Sequence, residues 1–470
     1  MRYSAREAAA AMGGTVGGGP AVWARGVSTD SRTLRRGDVF FALRGPRFDG
    51  HDYVGKARKL GAAFAVVERG RGRGLAGTVV EVDDTLEALG RLAADWRRRF
   101  PVKVAAITGS VGKSTTKEMA AAVLTAGGKV LKNEGNLNNR IGLPQTLFRL
   151  NRSHALAVLE MGCNAPGEID ALAEIALPDV ALITRVAPVH LEGLKSLAGV
   201  AHEKAGLIRW LNIEGTLVLN LDDPAIVREA HIWGGETVGF SLRPDADFKG
   251  RMFRLLGVGK EVAVSGKPSI RFWVQDKTPG KNEGPMAEFS LNTLSPHNAA
   301  NALAATALAA AFGIGLETSA ERLRGFSELP GRGEVERSGR GAFIVNDYYN
   351  ASPVSVTEAL STLAWWKGPM RGVAVLGEMA ELGRYADKYH RQVGANAARA
   401  GMDLLVTVGP HAALMAEAAA RAGLKKDAVF VARDNRQAAA ILNRELRKGD
   451  WVLIKGSRVM GLETVAAAIE

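Results

Sequence analysis

A chain of 470 residues, 47% hydrophobic and 23% charged, exceeds what one ordinary core organises, and typical domain size points to about three domains. This composition excludes a disordered chain, and no window reaches the roughly 18 uninterrupted apolar residues of a membrane span. The balance of 61 Lys plus Arg against 49 Asp plus Glu, formally +12, favours anionic partners: nucleotides, phosphorylated metabolites or nucleic acid.

At the N-terminus, Arg6 and Glu7 stand where a signal peptide needs an apolar centre. The single cysteine, Cys163, excludes an intramolecular disulfide and an all-cysteine zinc site. A cytoplasmic location is expected. The first hundred residues alternate apolar runs with helical patterns: VFFAL (39–43), a helix over 51–61, and AFAVVE (63–68). This predicts a small α/β domain over 1–100. The basic clusters Arg97-Arg98-Arg99 and RGRGRG (69–74) lack interleaved aromatics and read as solvated surface.

A second domain, 101–330, opens with the strand VKVAAIT. Further apolar runs follow at 154–162, 179–186 and 215–223, with crossover-length helical stretches between them. Such runs predict a doubly wound parallel sheet buried on both faces. From about Leu255 to Leu291 the pattern decays into a basic, β-rich excursion, and a helix over 297–313 closes the block. After GRGEVERSGRG a strand–helix rhythm restarts at 342–347, 372–377, 403–409, 428–434 and 450–456, predicting a Rossmann-like third domain over 331–470. No tandem repeat of fixed period is present.

The sharpest chemical signal is GSVGKST: a strand, Gly109, then Gly112-Lys113-Ser114 running into a helix. Backbone N–H groups at such a turn face a phosphate, Lys113 reaches the β and γ phosphates, and Ser114 ligates magnesium. The long-form phosphate-loop pattern needs a glycine where Ile107 stands. Glu160 ends the apolar run ALAVL at the sheet edge where α/β proteins place ligands; magnesium coordination, and a helix N-cap or surface carboxylate, are equally open. His190 follows the run DVALITRV and reads either as structural or as a ligand.

Lys204 falls at the centre of the helical stripe Leu197, Val200, Leu207, Ile208 and Leu211, and should point inward. A buried ammonium requires an acidic partner, a neutral state or a covalent change; snorkelling along a groove is the alternative. The loop KNEGNLNNRIGLP (132–144) supplies Asn136, Asn138 and Asn139, which either satisfy the backbone or contact phosphate and sugar oxygens. Asp347, Asn350, Lys455 and Arg458 stand at or beyond strand ends and could line a cleft facing the phosphate loop.

Taken in order, GSVGKST, EGNLNNRIGLP, LEMGCNAPGEI, VHLEGLKSLAGVAHEKAGLI, HNAANALAA, NDYYNASP and VLIKGSRVMGLE resemble the Mur ligases of peptidoglycan synthesis across nearly the whole chain. The segment VSTDSRTLRRGDVFFALRGPRFDGHDYV resembles that family's uridine-nucleotide domain, and the middle motifs look most like the member that adds D-Ala-D-Ala. The resemblance implies an ATP-dependent amide ligase that joins D-Ala-D-Ala to UDP-N-acetylmuramoyl tripeptide through an acyl phosphate. It implies a monomer with no nucleic-acid or stable membrane partner. The family's phosphate loop is the short form, with glycine three residues before Gly112, which accommodates Ile107.

By motif, the nucleotide site would comprise Gly109, Ser110, Gly112, Lys113, Ser114 and Thr115, with Asn298 and Asn301 near adenine and Arg332 near the γ-phosphate. Magnesium would be held by Ser114, Glu160, His190 and Lys204, the lysine carrying a carbamate. Ser31 and Arg32 would meet the uridine diphosphate, and Asp347 and Asn350 the incoming dipeptide. Two departures stand out. The family's Asp-Asp-Ser-Tyr-Asn reads Asn346-Asp347-Tyr348-Tyr349-Asn350, and Asp434-Asn435-Arg436 lacks the proline of the tripeptide-forming sister. From a different class, a basic phosphate-loop ATPase acting on nucleic acid would explain the charge but not Lys204.

Overall fold

The computed structural model describes residues 1–262, 268–279 and 284–469. Each of the three expected units is built on its own α/β sheet. The N-terminal sheet has five strands in the order Thr15–Gly17, Val79–Val82, Phe64–Glu68, Asp38–Phe41, Gly26–Ser28, all parallel except the first pair. The helix expected over 51–61 is a 3-10 turn, Gly50–Tyr53, followed by a short α-helix, Val54–Lys59. Asp49 caps the turn by accepting from the His51 N–H at 3.0 Å.

The helix Thr85–Arg98 joins this unit to the next. Leu89 and Leu92 pack into the N-terminal core, whereas Ala93 and Ala94 belong to the central one. Asp84 caps it, accepting from the N–H groups of Leu86 and Glu87 at 2.7 and 2.8 Å.

The central sheet has nine strands, in the order Val130–Lys132, Leu156–Glu160, Lys103–Thr108, Val180–Ile183, Thr216–Asn220, Glu236–Ser241, Arg251–Val262, Pro268–Lys277, Met286–Leu291. The first seven are parallel. The last two add antiparallel, so the sheet is mixed where a wholly parallel one was expected. These two come from the basic excursion, whose stretches 263–267 and 280–283 lie outside the described residues.

Burial on both faces follows from the residue alternation. Val104 and Ala106 face the core carrying the helices Glu168–Ala176 and Leu197–Arg209. Ala105 and Ile107 face the one carrying Lys113–Leu124 and Asn298–Ala310. The chain leaves Lys103–Thr108 toward one sheet edge and returns to its other side at Val180–Ile183, so this central strand marks the topological switch point.

The C-terminal sheet runs Glu334–Arg337, Phe343–Asn346, Trp451–Lys455, Gly372–Leu376, Leu404–Val408, Val429–Ala432, with only the first pair antiparallel. Pro353–Lys367, Ala386–Arg399 and Ala412–Arg421 cover one face; Asn435–Glu445 and Glu463–Ala467 cover the other. No helix among the described residues is long and apolar enough to cross a membrane.

Candidate functional site

The carboxyl ends of the central and C-terminal sheets face one another across a cleft of about 630 Å³. The phosphate loop lies on one wall. Gly109 and Gly112 take φ of 148° and 85°, where an L side chain is strained. A Cβ on Gly109 would stand 2.0 Å from Thr184 Oγ1, and one on Gly112 2.4 Å from Asn301 Oδ1. The loop is braced by Ser110, whose N–H donates to the Arg185 carbonyl at 2.6 Å and whose hydroxyl donates to that of Ala187 at 3.1 Å.

Lys113 closes the loop on itself, its ammonium donating to the Gly109 carbonyl at 2.7 Å. Burial first, then the nearby Lys204 and Arg332 charges, hold it down to about 8 against the opposing pull of Glu160. Arg332, from the segment joining the central and C-terminal domains, donates to Ser114 Oγ at 3.1 Å and stacks on Tyr349 at 4.0 Å. Asn298 and Asn301 are linked, Asn301 Nδ2 donating to Asn298 Oδ1 at 2.8 Å, and Thr116 donates to Asn301 Oδ1 at 3.2 Å. Asn298 in turn donates to Glu328, a carboxyl that burial raises to about 7.

Glu160 is 2% exposed. Its Oε1 accepts from Asn138 Nδ2 at 2.8 Å, while its Oε2 is buried without a hydrogen-bond partner. An orphaned carboxylate oxygen beside Ser114 in a nucleotide cleft fits a divalent cation, a hard ion that takes oxygen ligands. The helix-cap alternative for Glu160 is not what the structure has. Lys204 is 1% exposed and points inward, where its ammonium meets the Cys163 thiol at 3.6 Å. As a bare cation it would repel a metal; a carbamate would reverse its sign.

His190 lines the same cleft but is engaged across it, its Nδ1 bonded to the Glu381 carboxylate of the C-terminal domain. The opposite wall holds Asp347, whose carboxylate accepts from Lys455 Nζ at 2.6 Å; Lys455 also donates to the Asn350 carbonyl at 3.1 Å. Arg458 completes this wall.

The asparagine loop divides its labour. Asn138 holds Glu160, Asn136 lines the cleft, and Asn139 Oδ1 accepts from the N–H groups of Ile141 and Gly142 at 3.1 and 2.8 Å. Ser31 and Arg32 lie outside the cleft lining, in the loop after Gly26–Ser28. That loop is tied to the central domain by Gln145 Nε2 donating to Thr29 Oγ1 at 3.0 Å. Arg32 is exposed and paired with Asp30 at 2.7 Å.

Sequence reasoning missed Asn133 and Lys117. Asn133, fully buried, bonds both backbone groups of Glu160, accepting from its N–H and donating to its carbonyl, each at 2.9 Å. Lys117 lies one helical turn after Lys113, a spacing that could have drawn attention to it.

One other cluster with metal-ligating atoms occurs among the described residues: Glu378, His390 and His411. The two rings stack at 4.3 Å with planes 12° apart, so their lone pairs do not converge on one ion. The His390 Nε2 already accepts from the Met379 N–H at 3.0 Å. This is a hydrogen-bonded support for the strand end.

Three family models match the chain in succession: the Mur ligase family catalytic domain over residues 24–97, the Mur ligase middle domain over 107–309, and the Mur ligase glutamate ligase domain over 331–458. The chain is 34% identical over 441 residues to the UDP-N-acetylmuramoyl-tripeptide–D-alanyl-D-alanine ligase of Bacillus subtilis, covering 94% of this chain and 92% of that protein. Among solved structures, MurF from Acinetobacter baumannii superposes with a TM-score of 0.88 at 29% identity, covering 99% and 98% of the two chains. MurF from Thermotoga maritima, solved in complex with ADP, superposes with a TM-score of 0.82 at 26% identity over 94% and 96%.

Proposed function

The chain belongs to the Mur ligase family, and from that premise we propose that it joins D-Ala-D-Ala to UDP-N-acetylmuramoyl tripeptide at the expense of ATP. The observation that carries this reading is one cleft in which a phosphate loop, an orphaned buried carboxylate oxygen and the Asp347–Lys455 pair face one another. A carboxylate is a poor electrophile. Its oxygen therefore attacks the γ-phosphorus of ATP, ADP leaves, and the resulting acyl phosphate is attacked at its carbonyl carbon by the dipeptide amine. Phosphate then leaves and takes up the proton that the amine nitrogen loses.

The residue roles we assign combine this geometry with the family resemblance. The loop N–H groups and Lys113 hold the phosphates, and Arg332, resting on Ser114, adds charge where the phosphoryl group moves. Asn298 and Asn301 flank the base. Glu160 and Ser114, with His190 and a carbamylated Lys204, would hold a magnesium ion, which neutralises charge on the phosphates when bound. Asp347 and Asn350 receive the dipeptide, Asp347 accepting from the N–H of its neutral amine. The loop of Ser31 and Arg32 binds the uridine diphosphate, leaving the peptide to reach across Gln145 and the asparagine loop. We place the working units at 1–100, 101–330 and 331–470.

Because the cleft walls come from two domains, their approach excludes water from the acyl phosphate. We read the protein as a monomer, and use of ATP supports a cytoplasmic setting. The test is phosphate release from ATP and magnesium with UDP-N-acetylmuramoyl tripeptide, with and without D-Ala-D-Ala, together with product mass. Release that needs both substrates and a product heavier by the dipeptide is expected; release independent of both overturns the reading.

A further inference from the structure

Lys117 is a lysine that the ligase reading leaves without a role. It is 2% exposed on the helix Lys113–Leu124, behind the phosphate loop. Its ammonium donates to the Asn133 carbonyl at 2.8 Å, stands 3.1 Å from Glu118 Oε1, and lies 3.9 Å from Glu160 Oε2. That last atom is the buried oxygen with no hydrogen bond. A lysine kept only for structure would satisfy its charge on one carboxylate. Glu118 cannot serve alone, because it also pairs with Lys132, so one carboxylate faces two ammonium groups. Glu160 supplies the missing negative charge.

The same lysine grips Glu160 by a second route. Asn133, whose carbonyl Lys117 holds, clamps the Glu160 backbone on both sides and donates to the Leu137 carbonyl at 3.0 Å. Lys117 thus fixes both the position and the charge balance of the carboxylate. On the cleft side Glu160 acts on Lys113, which also feels the Arg332 charge. With Lys117 in place the charge of Glu160 is already balanced, so a divalent ion entering there without phosphates gains little and meets the Lys117 ammonium in a site of low dielectric.

We propose that Lys117 is a built-in counter-cation for Glu160, a positioning residue that balances the carboxylate when no divalent ion is bound and so makes ion binding depend on the nucleotide's phosphates. The inference rests on the ligase reading of the cleft and deepens it: the ion enters with the nucleotide. Removing the charge of Lys117 should therefore strengthen binding of the bare ion while loosening the carboxylate and slowing turnover. A purely structural lysine would weaken both or neither.

The experiment measures binding of Mn²⁺ alone, by electron paramagnetic resonance of the free ion, to the full chain without nucleotide. Wild type, Lys117→Met and Lys117→Arg are compared, each then assayed for phosphate release. The methionine variant is expected to bind Mn²⁺ about tenfold more tightly than wild type and to lose turnover. The arginine variant should keep the weak binding and recover part of the turnover. Unchanged or weaker Mn²⁺ binding in Lys117→Met overturns the proposal. If that variant does not fold, Lys117→Gln, which keeps a donor for Asn133 without the charge, is judged by the same criterion. A wild-type chain that releases no phosphate with both substrates would count against the ligase reading, and the Mn²⁺ comparison would still decide the role of Lys117.

Discussion

His190 of the central domain and Glu381 of the C-terminal domain bond across the cleft, and both hold their backbones in the left-handed region, at φ of 51° and 64°. Left-handed backbone costs a residue with a side chain roughly 1–2 kcal/mol, so the contact is made from two strained positions. The Glu381 carbonyl also accepts from the Glu192 N–H at 3.3 Å. Replacing Glu381 by glycine removes the carboxylate and relieves its strain together. The thermal midpoint should stay near that of wild type, while small-angle scattering should report a wider mean separation of the two domains. A large drop in midpoint with unchanged scattering would contradict this.

Lys204 separates stability from activity. It is buried and hydrogen-bonded to a thiol, with no carboxylate paired to it among the described residues, and replacing a poorly paired buried charge by an apolar side chain of similar volume is often neutral or stabilising. Lys204→Met should melt no lower than wild type yet lose turnover by more than about a hundredfold, consistent with the scale of a lost charge-stabilising group. Excess bicarbonate should not restore it. An active Lys204→Met or Lys204→Ala enzyme would remove the carbamate from the mechanism.

Lys113, held down to about 8 above all by burial, should make nucleotide binding pH-dependent. Phosphates beside it favour the charged form, so binding near pH 8 takes up a proton, and affinity falls as pH rises above about 8. Calorimetric titration with ADP in buffers of different ionisation enthalpy measures that uptake. Proton release in this range would refute the assignment.

Glu328 affects stability with the opposite sign to an ordinary carboxylate. Its carboxyl is raised from 4.5 to about 7, by burial above all, so the folded chain binds its proton more tightly than the unfolded chain does. Stability from this group is fully present below about 4.5 and is lost as pH rises through about 7. The melting temperature of Glu328→Gln relative to wild type should therefore be higher at pH 8 than at pH 5. Because Asn298 donates to this carboxyl, the affinity for ATP should shift as well.

Much of this architecture was legible in the sequence because it depends on local pattern. Buried parallel strands write themselves as continuous apolar runs, and all the runs proposed for the central and C-terminal sheets became strands within a few residues of their expected bounds. The phosphate loop was legible for the same reason: its glycines, lysine and serine are contiguous, and the conformation they need is a property of the backbone. Less visible were Val79–Val82 and Glu236–Ser241, and the antiparallel turn of the basic excursion, whose strands lack a continuous apolar signal.

The tertiary structure alone decided who faces whom. Asn138 and Asn139 are adjacent and chemically identical, yet one holds a carboxylate and the other accepts from two backbone N–H groups, because the loop aims their side chains differently. Lys117 meets Glu160 over 43 positions, and His190 meets Glu381 over 191. Composition and periodicity fix which residues are buried and in what element, since burial and backbone hydrogen bonding are settled over a few neighbours. Charge pairing acts between residues that only the folded sheet order brings within a few ångströms, and sequence pattern carries no record of that distance.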